Sequence, residues 1–109
     1  MAKTMQLLTA RCGKIRPDSV ADYLASGGFS ALKKAMDMAP MDIINEVIDA
    51  KLLGRGGASY PAGKKWKQLY EIEGSPKYIV CNADEGEPGT FKDKVLLEKD
   101  PLSIIEGMA

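Results

Sequence analysis

At 109 residues the chain has room for one small domain with a modest core. Its 15 basic and 15 acidic residues cancel, so net charge points to no nucleic-acid partner, and no apolar run approaches the roughly 20 residues of a membrane span. With no histidine and only Cys12 and Cys81, the chain alone builds no Ser-His, Cys-His or His-metal chemistry and no Cys-rich zinc or iron–sulfur site.

Residues 1–15 read as an extended N-terminal segment. The opening MAKTMQLLTARCGK has no long apolar stretch of the kind a signal peptide needs, so a cytoplasmic protein is expected. Cys12 and Cys81 are expected to be buried as small apolar residues and not to be bridged. Pro17-Asp18-Ser19 opens a first helix with Val20, Tyr23 and Leu24 at helical spacing, and Gly27-Gly28 stops it. A second helix is predicted over about 30–38, with Leu32, Ala35 and Met36 on one face. After Pro40 a third carries Ile44, Val47, Ile48 and Leu52 on one stripe and ends at Gly54, read as a left-handed C-cap.

Next comes the loop GRGGASYPAGKKW, residues 54–66, and a fourth helix from Pro61 or Ala62 through Trp66, Leu69 and Tyr70 to Gly74. Trp66 is expected in the core. PKYIVCNA, residues 76–83, is the best strand candidate, nearly continuously apolar as a strand covered on both faces is. It runs into the acidic loop DEGEPGT, followed by helices over about 91–98 and from Pro101. The sequence ends within that last helical pattern, which reads as the first piece of a longer domain.

The glycine loop matches neither familiar phosphate motif. For G-x-x-x-x-G-K-[ST], Gly57 and Gly63 are one residue too far apart and Lys64 is followed by Lys65. For G-x-G-x-x-G, only Gly54 and Gly56 fit, and a helix precedes them. The physics of an anion site survives. Gly54, Gly56 and Gly57 permit close backbone approach, the next helix offers free N–H groups, and Lys51, Arg55, Lys64, Lys65 and Lys67 face no acidic residue in the run. Tyr60, confined to extended backbone by Pro61, is placed to stack on a flat ligand or to pack as core. At the strand end, Asp84, Glu85 and Glu87 could accept hydrogen bonds from sugar hydroxyls or ring N–H groups, or hold a magnesium ion. A ligand with phosphate at one end and polyol plus ring at the other suits both loops, as a nucleotide or flavin mononucleotide (FMN) does.

GRGGASYPAGKKW, NADEGEPGTFKD and the flanking RCGKIRPDSVADYLASGGFSAL resemble the flavin-binding, 51 kDa subunit of respiratory complex I, whose module also occurs in NAD-linked hydrogenases and formate dehydrogenases. The resemblance implies an α/β fold: N-terminal helices (residues 1–50) plus the start of a Rossmann-like FMN/NADH-binding domain (residues 51–109), incomplete. It implies FMN and NAD as cofactors, with Gly54, Arg55, Gly56, Gly57 and Ala58 along the flavin and nucleotide, Lys65 on the flavin side, and Tyr60 stacking on nicotinamide. Asn82 and Asp84 would hold the flavin ring and ribityl chain, and Glu87 the NADH site. No metal ligand and no catalytic side chain is implied. Part of an NADH-oxidising subunit is expected, on the cytoplasmic side of a membrane complex, with NADH and iron–sulfur subunits as partners. The iron–sulfur cluster is expected beyond residue 109 or in partner chains, and this chain alone is expected to be inactive. The other expectation is a non-catalytic nucleotide-binding or assembly fragment. Departures from the family pattern are Ser59 for glycine, Tyr60 for Phe, Ala62 for Thr, Leu53 for Arg, and Gln68 where an aromatic is common.

Overall fold

The structure, a computed structural model, describes residues 3–109. Six helices follow in order among them: α1 (Val20–Ala25), α2 (Ser30–Met36), α3 (Pro40–Asp49), α4 (Ala62–Glu71), α5 (Lys92–Lys99) and α6 (Pro101–Met108). The residues fall into two compact units. One runs through Leu32 and resumes over Ile79–Ala109; the other is Lys33–Tyr78.

In the first unit, Ser19 caps α1 by accepting the Asp22 N–H at 3.1 Å, the side-chain acceptor an N-terminus calls for. The turn after α1 is tight. The Tyr23 ring lies where a β-carbon on Gly28 would sit, and it meets Phe29 edge-on with centroids 5.0 Å apart. Tyr23 is buried, and its hydroxyl donates to Glu106 of α6 at 2.5 Å. The same carboxylate accepts the N–H groups of Phe29 at 2.8 Å and Leu32 at 3.1 Å. Arg11 stacks on the Tyr23 ring at 4.8 Å, donates to Ser26 Oγ at 2.8 Å, and stands 3.9 Å from the buried Asp100. Asp100 caps the end of α5 and the start of α6 at once, and its Oδ1 has no hydrogen-bond partner among the described residues.

The second unit is a helix pair. α3 begins at Pro40, where a missing N–H costs nothing. It ends in a Schellman arrangement: Lys51 N–H bonds Ile48 O at 2.9 Å, Leu52 N–H bonds Val47 O at 3.5 Å, and Lys51 takes φ +54°. α4 packs against α3 through Gly63. A β-carbon there would lie 2.5 Å from Ile48 Cγ1 and 2.7 Å from the Ile48 backbone nitrogen. At the far end of α4, Lys77 Nζ donates to the carbonyls of Leu69 (2.8 Å) and Tyr70 (3.4 Å).

Several expectations are corrected. The Rossmann-like sheet is not formed among the described residues, whose one β-type pairing is the isolated bridge Leu53–Pro61. Residues 76–83 carry no regular element; Ile79 is 65% and Val80 82% exposed. A strand needs a neighbour about 4.8 Å away to pair its N–H and C=O groups, and no second strand lies among these residues. The N-terminal segment is coiled, not extended, with successive turns closed by Ala10 on Leu7, Cys12 on Thr9 and Lys14 on Arg11. The first two residues of that segment lie outside the described ones. Lys51, not Gly54, is the left-handed residue after α3. Cys81 and Trp66 are exposed, not buried.

Burial pushes the Glu106 carboxyl up, but the Tyr23 hydroxyl, the two N–H groups and Arg11 outweigh it and hold the carboxyl below its usual range. Burial, reinforced by Glu106, pushes the Tyr23 phenol up to about 12. A lowered carboxyl contributes stability above its unfolded-state value and loses it as pH falls through the folded value. Glu106→Gln should therefore cost about 1–3 kcal/mol in urea unfolding at neutral pH. The gap from the parent chain should close as pH drops below the ordinary glutamate value of about 4.3. A gap that stays constant with pH would show that the charge of Glu106 contributes nothing.

Candidate functional site

The glycine-rich run is a loop pinched shut at its base. Gly54 N–H donates to Tyr60 O at 2.8 Å and Ala62 N–H to Leu52 O at 2.9 Å, around the Leu53–Pro61 bridge. Between these ties, residues 55–59 carry little but backbone. A β-carbon on Gly56 or Gly57 would meet nothing within 4 Å, so that face of the loop is open; Gly57 sits at φ +106°, which suits glycine alone. Ser59 also takes the left-handed region, at φ +51°, in the position where the family pattern has glycine.

Chain direction then delivers the loop into the N-terminus of α4. Gly63 and Lys64 donate their N–H groups to no backbone acceptor among the described residues, as befits a first helical turn. The lysines of α4 divide by partner. Lys67 faces Glu71 one turn on at 3.8 Å, Lys64 lies 5.9 Å from the centre of the Tyr60 ring, and Lys65 makes no ion pair among the described residues. Arg55 is exposed and likewise makes none among them. Tyr60 is 41% exposed and its hydroxyl donates to Gln68 Oε1 at 3.2 Å, so its ring is outside the core. Together these groups can meet an anion with helix N–H groups, open backbone and one or two unpaired cations. A larger cleft of about 400 Å³ lies instead along the α3–α4 seam, lined by Val47, Ile48, Leu52, Pro61, Lys64 and Lys67. Its walls are mostly apolar, so size does not mark the polar chemistry here.

The acidic loop belongs to the first unit. Asn82 Oδ1 accepts the Asp84 N–H at 3.0 Å, an Asx turn that leaves the Asn82 amide NH2 as its outward donor. Glu87-Pro88-Gly89-Thr90 forms a second turn, closed by Thr90 N–H on Glu87 O at 3.2 Å with Gly89 at φ +81°. Between them Glu85 bends away, accepting the Asp93 and Lys94 N–H groups at 2.9 Å each at the start of α5. Asp84 and Glu87 are exposed and their carboxylates make no ion pair among the described residues. Lys92 is held above its usual range chiefly by its 3.0 Å hydrogen bond to Asp93, with Glu85 and Glu87 adding and slight burial opposing. Cys81, Asn82 and Ala83 line a small cleft of about 150 Å³ against Leu96, Leu97 and Ile104. No group of three or more His, Cys, Asp or Glu side chains converges among the described residues.

The structure thus brings together Gly54, Arg55, Gly56, Gly57, Ala58, Tyr60 and Lys65 in one unit, and Asn82, Asp84 and Glu87 in the other. Sequence reasoning does not separate Glu85 from its acidic neighbours. The signal available is an uncapped helix start, since Phe91 offers α5 no polar side chain.

Comparison with known proteins decides the family: the model described as the Nuo51 FMN-binding domain matches residues 47–109. The chain belongs to that family. It is 50% identical over 105 residues to the F subunit of the NADH-quinone oxidoreductase of Aquifex aeolicus (strain VF5), covering 96% of this chain and 24% of that protein. It is 43% identical over 107 residues to the HndC subunit of the NADP-reducing hydrogenase of Solidesulfovibrio fructosivorans, covering 98% of this chain and 22% of the relative. It is also 46% identical over 79 residues to the alpha subunit of the NAD-reducing hydrogenase HoxS of Cupriavidus necator, covering 72% and 13%. The chain spans a quarter or less of the length of these relatives.

Ser59 supplies a test of the loop geometry. Replacing an L-residue at positive φ by glycine relieves about 1 kcal/mol of backbone strain, less the entropy glycine adds to the unfolded chain. Ser59→Gly should raise stability by roughly 0.5 kcal/mol in urea unfolding, while Ser59→Val should lower it by about 1 kcal/mol or more. Equal midpoints for all three chains would mean that residue 59 is not held left-handed.

Proposed function

We propose that this chain is the N-terminal part of a flavoprotein subunit that oxidises NADH within a multi-subunit redox complex. The observation that carries the reading is the pinched, open-faced glycine loop delivered into the α4 N-terminus beside Lys65. Family membership and the names of the relatives support it. The donor set fits FMN: free N–H groups and a lysine for its phosphate, and acceptors with one amide donor for its ring and ribityl hydroxyls. When bound, FMN supplies the redox chemistry, taking a hydride from NADH and releasing electrons singly. The residues of this chain position and polarise. Gly54, Arg55, Gly56, Gly57 and Ala58 lie along the flavin and nucleotide, and Lys65 neutralises negative charge on the flavin side. Asn82 and Asp84 hold the flavin ring and ribityl chain, Tyr60 stacks on the nicotinamide, and Glu87 accepts hydrogen bonds from NADH.

Under this reading, residues 1–50 are a helical N-terminal region and residues 51–109 begin a Rossmann-like FMN/NADH-binding domain. Iron–sulfur centres held elsewhere in the subunit or on partner chains would take up the electrons, on the cytoplasmic side of a membrane complex. No helix of the described residues is long and apolar enough to cross a membrane. The second reading is a non-catalytic nucleotide-binding or assembly module. Flavin absorbance near 450 nm (roughly) in the purified complex separates the two.

Lys65 and Lys67 give a paired test in the flavoprotein subunit that carries this segment. Lys67 is already matched by Glu71, whereas Lys65 has no ion-pair partner among the described residues. Lys65→Ala should therefore weaken FMN retention by about 1.5–3 kcal/mol and Lys67→Ala by much less. Equal losses would indicate a diffuse basic surface in place of a phosphate contact.

Glu87→Gln keeps shape and removes charge. An ionised acceptor is roughly twice as strong as a neutral one, so kcat/KM for NADH should fall about 5- to 30-fold with flavin content unchanged. Flavin content and NADH:ferricyanide kinetics on one preparation decide it. Loss of flavin with normal NADH oxidation by the remaining holoenzyme would move Glu87 out of the NADH site.

A further inference from the structure

Three carboxylates lie within the four residues 84–87, yet they do not share one environment. Glu85 is half-buried, and each of its oxygens takes one α5 N–H, from Asp93 and Lys94, at 2.9 Å. Asp84 and Glu87 are exposed, with no ion pair among the described residues. Apart from that clasp the loop is closed by the Asx turn, in which Asn82 Oδ1 accepts the Asp84 N–H, and by the backbone turn at Glu87–Thr90, which join groups only two or three residues apart. Such local turns fix short pieces of backbone, not the direction in which the whole loop faces. The clasp joins residues eight and nine apart and is charge-assisted, with the α5 N-terminus supplying complementary partial charge. It also removes one of three like charges from the loop's open side.

We propose that Glu85 is a positioning residue for the acidic loop: by clasping the start of α5 it sets the direction of the loop, and with it the aim of Asn82, Asp84 and Glu87. This rests on the reading that those three side chains meet FMN and NADH. Under it, loss of the clasp leaves the ligand groups intact but misaimed, so the penalty falls on FMN retention through Asn82 and Asp84 and on NADH binding through Glu87, and not on the rate of bound complex. Gln at 85 retains one acceptor for one of the two N–H groups and so recovers part of the aim.

The test compares Glu85→Ala and Glu85→Gln in the flavoprotein subunit that carries this chain, with constants expressed per bound flavin. Glu85→Ala should raise KM for NADH about tenfold with kcat within about twofold, and Glu85→Gln should return KM to within about threefold of the parent. A lower melting temperature with flavin content and per-flavin KM both unchanged would overturn the proposal and leave Glu85 as a helix cap. Equal defects in both variants would overturn it too, because they would mean the charge itself meets the ligand. Amide exchange on this chain alone gives a readout independent of the flavin reading. In Glu85→Ala, exchange at Asp93 and Lys94 should accelerate together with exchange at Asp84 and Thr90, by about tenfold. Acceleration confined to Asp93 and Lys94 would show that the clasp does not govern the loop. If the parent subunit proves to hold no flavin, the functional reading fails while this exchange pattern still decides the role of Glu85.

Discussion

Little apolar surface is taken out of water here, and everything else in the fold answers to that shortage. Among the described residues Tyr23 and Ile44 are the buried apolar side chains, one in each unit. Burying one such side chain contributes about 1.5–3 kcal/mol, far below the conformational entropy of a hundred ordered residues. Close polar and backbone contacts therefore carry unusual weight. In the first unit the weight falls on Glu106, whose single carboxylate gathers a phenol and two backbone N–H groups. In the second it falls on Gly63, whose missing side chain lets α4 lie on the backbone of α3 at Ile48.

These two contacts also hold the elements from which the candidate site grows. Gly63 fixes the first turn of α4 at the point where the pinched loop enters it. Glu106 ties α6 to the α1–α2 turn, and α6 meets α5 at the buried Asp100 corner, so the helix that Glu85 clasps has an anchored far end. The site residues themselves are mostly exposed. They are presented by the scaffold and not packed into it, as ligand groups on loops usually are.

Local chemistry is readable from the sequence wherever the deciding partner lies nearby. Ser19, Pro40 and Pro101 mark their helix starts because capping and a missing N–H act within one turn. The amphipathic stripe of α3 is there, and the glycine loop has the open backbone its composition implies. Features decided at a distance are not readable in this way. Residues 76–83 have strand composition, but pairing depends on a neighbour that composition does not reveal. Propensity points to Gly54 as the end of α3, whereas the Schellman bonds close at Lys51, where Leu52 follows as the apolar residue. Glu85 and Glu106 look like surface charges in the sequence, and only their partners eight to 83 residues away make them structural. An open, basic loop suited to an anion is legible from the run of glycines and lysines. The division of labour among the three carboxylates is not, since it depends on where α5 starts in space.

The bond between Tyr23 and Glu106 spans 83 residues, nearly the whole chain, while α3, its loop and α4 are joined by contacts between near neighbours. On the ribosome this asymmetry becomes a matter of time. At about 5–20 residues per second, Tyr23 is made roughly 4–17 s before its acceptor exists. The α3–α4 pair can form during that interval from contacts already synthesised. The N-terminal turns and α1 must wait for α6, with the Tyr23 ring lacking the partner that satisfies its hydroxyl.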